Sequence, residues 1–272
     1  MAFLTSVTGK ARPAPGRATQ SPPATRRGLT ALVSILMLLG SWAVLAYLLN
    51  DPTRAPSPFQ ILPILVSETL SGALPHQLGI TLGRVAISFA LAMLIGAALG
   101  LAMGTHDRLN AWADPWLVVA LNIPALVTIV LSYLWLGLGE TAAIVAVVAN
   151  KVPLVTVLVR EGAKVIDPDL DEMAAAYRMS RSDRLRHLIL PQLAPSLAGA
   201  ARSGLALIWK IVLVVEFLGR SSGMGFKIHL YFQMFDIPRV IAYALAFIIV
   251  MLAIEWLVMQ PLERAASRWR AP

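Results

Sequence analysis

Six long apolar stretches, at about 29–49, 78–104, 112–138, 140–160, 197–219 and 239–260, follow one another along this chain, with most of the charge confined to the segments between them. A helix needs roughly 20 apolar residues to cross the hydrocarbon core of a bilayer, and a strand there would leave its backbone amides unpaired. The pattern predicts an all-α, polytopic membrane chain of about six transmembrane helices. Of the 272 residues, 57% are hydrophobic and 14% are charged, whereas a soluble domain carries about a quarter of its residues as charge. The net charge of +8 sits in the tails and connections and forms no basic face, so no nucleic-acid partner is expected. The chain has no cysteine, which excludes disulfides, thiolate metal sites and cysteine nucleophiles.

Lysine and arginine set the orientation. Lys10, Arg12, Arg17, Arg26 and Arg27 precede the first stretch, Lys164, Arg178, Arg181, Arg184 and Arg186 follow the fourth, and Arg264, Arg268 and Arg270 follow the sixth. In a six-span chain all three groups lie on one side, which the positive-inside rule makes cytoplasmic. The expected organisation is a disordered cytoplasmic tail over 1–27 and a transmembrane domain over 28–262. That domain contains a cytoplasmic segment at 161–197, and a second cytoplasmic tail covers 263–272. Both termini are then inside, in a bacterial inner membrane.

Between the first two stretches, 56–77 is too broken by proline to span and reads as a short surface helix or a plain external loop. Gly96, Gly100 and Gly104 recur every four residues and predict a flat helix face for close packing, within the chain or across a dimer. Asn122 and Pro124 interrupt the third stretch; Asn150, Lys151 and Pro153 interrupt the fourth. Proline removes a helix hydrogen bond, and the freed carbonyls need a polar neighbour or a water-filled route.

The segment at 161–197 carries the most local information. Asp167 is a good N-cap with Pro168 at the first helical position. Leu170, Met173, Ala174 and Tyr177 then follow at helical spacing and share one face. Ser180-x-x-Asp183 is a capping-box variant that opens a second short helix, expected to end at Pro191 and Pro195. Such a helix–turn–helix either folds back on its own spans or docks a cytoplasmic partner.

Glu172-Met173-Ala174, then Ser180-Arg181, then Leu188-Ile189-Leu190-Pro191, resemble the EAA loop of binding-protein-dependent ABC importer permeases of the nitrate/sulfonate/taurine type. The resemblance runs from about residue 56 and includes Pro56-Ser57-Pro58, the glycine stripe, Asp114-Pro115, the Pro153 region and Glu216. It implies a type I ABC importer permease fold, with Asp171, Glu172, Met173, Ala174, Ala175, Ala176, Tyr177, Arg178, Met179, Ser180 and Arg181 docking in a groove of the ATPase. The implied partners are a dimer of cytoplasmic ATP-binding subunits, a second copy of the chain, a periplasmic or extracellular solute-binding protein and the bilayer. ATP and Mg belong to the partner, and this chain binds no cofactor. Arg178 stands where the family usually has glycine, so either the turn differs or the ATPase offers a matching acidic surface. No phosphate-binding loop occurs, and the glycines of GRSSGMGFK at 219–227 read as a flexible external turn.

Lys151, Lys210, Glu216 and Glu255 fall within the apolar stretches, where an isolated charge costs several kcal/mol. Asn122, Lys151, Lys210 and Glu216 are the candidate pathway residues, and the lysines favour an anionic solute such as nitrate, a sulfonate or taurine. The lysines alternatively snorkel to an interface or pair with Glu216. A heterocyclic vitamin precursor is the alternative solute. The alternative mechanism is an ion-gradient transporter using Lys151, Glu216 and Glu255, although no inverted repeat is visible. No catalytic or metal-binding constellation is present, so the chain is not expected to be an enzyme.

Overall fold

The computed structural model describes residues 24–261, and only the backbone of 24–29, 31, 32, 168 and 171. The basic tail residues Lys10, Arg12, Arg17, Arg264, Arg268 and Arg270 lie outside the described residues. The described residues form α1 (Ala24–Leu49), α2 (Pro58–Leu70), α3 (Ala73–Thr105), α4 (Asp107–Asn122), α5 (Ala125–Leu136) and α6 (Glu140–Lys164). They continue with α7 (Pro168–Ala176), α8 (Arg181–Arg184), α9 (Leu190–Gly219), α10 (Met224–Gln233) and α11 (Ile237–Ile254). Among the described residues, four helices are long and apolar enough to cross a membrane: Ala73–Thr105, Glu140–Lys164, Arg181–Gly219 and Ile237–Met259.

The third apolar stretch differs from a single span, because α4 and α5 meet at 95°. The break is Ile123 and Pro124. Ile123 is extended at φ −71°, ψ 121°, the conformation a following proline favours because its ring crowds a helical predecessor. The fourth stretch behaves oppositely, for α6 runs unbroken through Asn150, Lys151 and Pro153. One hydrogen bond lost to proline is outweighed where a helix is gripped on two sides, and α6 packs between α3 and α9. Nor do Pro191 and Pro195 end the helix begun at Arg181. A π turn, Leu185–Ile189, carries it into α9 with Leu190 N–H donating to Leu185 O; the wider turn relieves the clash a proline ring makes with the preceding carbonyls.

Within 56–77, α2 forms a short helix over Pro58–Leu70, opened by Ser57 and Gln60 in a capping box and burying Ile61, and the last five residues already belong to α3. The core lies along α6. Gly96, Gly100 and Gly104 of α3 face α6 in the same chain. A Cβ added at Gly96 would sit 2.6 Å from Val155 Cβ, at Gly100 2.6 Å from Thr156 O, and at Gly104 2.5 Å from Ala163 Cβ. Residues ascend together along both helices at these contacts, so α3 and α6 run parallel. Ile208, Val212 and Val215 of α9, with Tyr243 of α11, close the other side of this core.

Candidate functional site

The connection from α6 to α9 is built by local capping. Asp167 caps α7 by accepting the Asp169 N–H at 3.0 Å, while its own N–H donates to Gln192 Oε1 at 3.1 Å and ties the segment to α9. At the far end Arg178 N–H donates to Ala175 O at 3.1 Å and Met179 N–H to Ala174 O at 3.0 Å. That pair of bonds is a Schellman closure, which needs a left-handed residue at the position after the cap. Arg178 supplies it, with φ 51°. The turn at Arg178 is thus the turn glycine would make, formed at the steric cost of a side chain. Ser180 then accepts the Asp183 N–H at 3.2 Å and donates its hydroxyl to Asp183 Oδ2 at 2.6 Å, opening α8.

Of the apolar face of α7, only Ala174 is buried in this chain. Leu170, Met173 and Tyr177 are exposed, Tyr177 by 78%. Glu172, Ala175, Ala176, Arg178, Ser180 and Arg181 are exposed as well, and Met179 is half-buried. Asp171 contributes its backbone to α7, and its side chain is outside the described set. Helix α7 therefore buries one small residue, is tied to α9 by the Asp167–Gln192 bond, and leaves its larger apolar groups exposed.

At the opposite end of the bundle the fold gathers a polar network that the sequence did not announce. Glu216 of α9 is fully buried. Its carboxylate accepts Arg84 Nη1 at 2.6 Å, Thr81 Oγ1 at 2.9 Å and the Gly225 N–H at 2.9 Å. The Arg84 guanidinium, 5% exposed, also forks onto Glu140 at 2.9 and 2.6 Å. It further donates to Ser222 O at 2.7 Å. Arg220 adds a second cation to Glu140 at 2.7 Å and reaches Leu138 O. Two acids and two arginines thus balance one another, with Glu216 and Arg84 buried and Glu140 at the exposed rim.

The 219–227 turn is part of this network rather than a free external turn. Gly223 N–H donates to Gln77 Oε1 at 2.6 Å and Met224 N–H to Thr81 Oγ1 at 2.8 Å. Gly223 has φ 105°, and a Cβ there would lie 2.3 Å from the Glu216 carboxyl. Glycine is required because the backbone closes directly onto the buried acid.

The four candidate pathway residues are not brought together. Glu216 pairs with Arg84 and with neither lysine. Lys210 is exposed on α9. Lys151, 7% exposed at the middle of α6, has no hydrogen-bond or ion-pair partner among the described residues. Asn122 is exposed beside the α4–α5 break and donates to Val118 O at 2.8 Å. Glu255 pairs with Arg202 at 3.0 Å. The sequence reading missed Arg84, Glu140 and Arg220. An arginine eleven residues into an apolar helix was the available signal, because such a residue needs a partner.

Residues 92–260, more than half the chain, match the model of the binding-protein-dependent transport system inner membrane component family. The chain belongs to that family. The taurine transport system permease protein TauC of Escherichia coli is 25% identical over 253 residues, covering 91% of this chain and 92% of its own. The formylaminopyrimidine transport permease protein ThiX of Halalkalibacterium halodurans is 26% identical over 245 residues, covering 90% and 97%. Among solved structures, an inward-facing MetNI methionine ABC transporter chain has a TM-score of 0.60 at 19% identity, covering 69% of this chain and 93% of its own. The chain is thus a multi-pass, all-helical ABC importer permease.

Proposed function

We propose that this permease takes up a small anionic solute, of the sulfonate, taurine or nitrate kind, as a dimer driven by a cytoplasmic pair of ATP-binding subunits and fed by a separate solute-binding protein. The 167–191 segment is the docking element, which makes the α7 end of the bundle and both termini cytoplasmic. One observation carries this reading: Leu170, Met173 and Tyr177 form an apolar face on a well-capped helix and remain exposed. Solvated loops do not need such a face, and a groove in a partner does. The Asp167–Gln192 bond joins α7 to α9, and α8 runs into α9 through the π turn Leu185–Ile189, so a displacement of α7 is passed to a spanning helix. The ion-gradient alternative loses two of its candidates, because Glu216 and Glu255 are already paired.

The chain has no cysteine, so single-cysteine variants report without background. Ala175→Cys is expected to cross-link to a cysteine in the groove of the ATP-binding subunit, with a yield that changes on adding ATP. An intact complex in which Ala175→Cys forms no cross-link, while a cysteine elsewhere in the chain does, would place the docking surface elsewhere.

A further inference from the structure

Two belts of charge mark the membrane boundaries on α6. At its start Glu140 meets Arg84 and Arg220, and twenty residues further on Arg160 meets Asp114 and Glu161. At 1.5 Å per residue the belts stand about 30 Å apart, the thickness of a hydrocarbon core. The middle of the core therefore lies near residue 150 of α6. Helix α9 runs antiparallel to α6: a Cβ added at Gly162 would sit 2.5 Å from Ser196 Cβ, and one at Gly204 would sit 3.8 Å from Val155. Six residues beyond Gly204 on α9 is six before Val155 on α6, which sets Lys210 about level with residue 149. Lys210 is thus at mid-depth.

It is also at the centre of the exposed side of α9. Ser203, Ala206, Leu207, Lys210, Val214 and Leu218 are exposed and form one strip at helical spacing, while most residues between them are buried. A strip facing lipid is apolar at this depth, because a charge there is costly. Lys210 cannot escape by snorkelling, since about 15 Å to either belt is more than a lysine side chain spans. Nor does it have a hydrogen-bond or ion-pair partner among the described residues. The acids nearest in depth, Glu68, Glu216 and Glu255, are already bound to Arg239, Arg84 and Arg202. A second copy of the chain in the same orientation brings the same acids at the same depths, so a dimer supplies no counter-charge either. Lys151 is level with Lys210 on α6 but buried, so among the described residues Lys210 is the exposed cation at this depth.

We propose that the exposed strip of α9 lines the solute route and that Lys210, at its midpoint, selects for a solute carrying an anionic group such as a sulfonate, nitrate or carboxylate. The inference rests on the permease reading and adds the residue that sets charge selectivity. An ammonium facing a narrow water-filled route is a point charge that draws anions in and repels cations. Leu207 and Val214, one turn to either side, offer no hydrogen-bonding groups, so the strip reads charge and leaves the rest of the solute unread. A solute is then attracted without being held, which passage requires. Helix α9 is also the helix that α8 enters through the π turn, so a displacement at the docking segment carries Lys210 with it.

The test is a labelling rate. Val214→Cys is made in the full-length permease, assembled with its ATP-binding subunits in lipid nanodiscs and supplied with ATP so that the route opens to each side in turn. It is reacted with anionic sulfonatoethyl methanethiosulfonate and with the cationic trimethylammonioethyl analogue, and each rate is divided by that reagent's rate with mercaptoethanol. The anionic reagent is expected to be favoured at least about tenfold, and Lys210→Gln to abolish the preference. Lys210→Arg, which keeps the charge, is expected to retain it, and ATPase retained by the Lys210→Gln chain shows that this variant is folded. Leu207→Cys, on the other side of Lys210, is expected to behave as Val214→Cys does. Failure of both cysteines to react with either reagent, as on a lipid-facing strip, would overturn the proposal. So would equal normalised rates, or a preference unchanged in Lys210→Gln. These results leave the permease reading standing, because that reading is tested by assembly with the ATPase.

Discussion

At Glu216 a carboxylate with no exposed surface is held by three donors, two of them from α3 and one from the backbone at Gly225. Removing one member of a buried pair leaves the other charged and dry, at a cost of about 3–5 kcal/mol, while replacing both with apolar groups is often close to neutral. Arg84→Met is therefore expected to lower the thermal midpoint of the purified permease sharply. Arg84→Met/Glu216→Leu should recover most of the loss, since Arg220 still neutralises Glu140. A double variant no better than the single would show that Arg84 matters through Glu140 or Ser222 instead. The network was largely illegible in the sequence. Glu216 stood out as a charge in an apolar run, but its partner lies 132 residues away, and no local spacing encodes that distance. Lys151 and Lys210 looked alike in sequence; only packing buries one and exposes the other.

Elements whose ends are set by neighbouring residues were more legible. Asp167 and Ser180 both cap helices where their spacing predicts, because a cap is a contact over two or three residues. Proline was the ambiguous signal. Pro124 breaks a helix while Pro153 and Pro191 do not: α6 is gripped by α3 and α9 around Pro153, and a π turn precedes Pro191, neither of which one sequence displays. Arg178 combines both cases: the turn is the one glycine would make, and the arginine accepts a left-handed backbone that costs about 1–2 kcal/mol. Arg178→Gly is accordingly expected to stabilise the α7 closure, slowing hydrogen exchange over 174–180 by several-fold. Arg178→Val, branched at Cβ, is expected to speed it. Equal exchange in all three chains would mean that this turn is not strained.

For the molecule as a whole, α3, α6 and α9 carry most of the packing, and α7 leaves its larger apolar side chains exposed. The parallel pair α3 and α6 meets over glycines with α9 against them, and at one end the Arg84 network joins α3, α6, α9 and α10. At the other end α7 is tied to α9 by the Asp167–Gln192 hydrogen bond, and a π turn carries α8 into α9. That asymmetry suits a subunit pushed from the α7 end and braced at the far one. The most direct check of this account is co-purification of the tagged permease with the ATP-binding subunit from its own host, comparing wild type, Glu172→Ala and a deletion of residues 169–179. The account predicts that wild type retains the ATPase and takes up solute on ATP, that the deletion loses both, and that Glu172→Ala weakens them. A deletion chain that keeps the ATPase, or a wild-type chain that moves solute on an ion gradient without one, would contradict it.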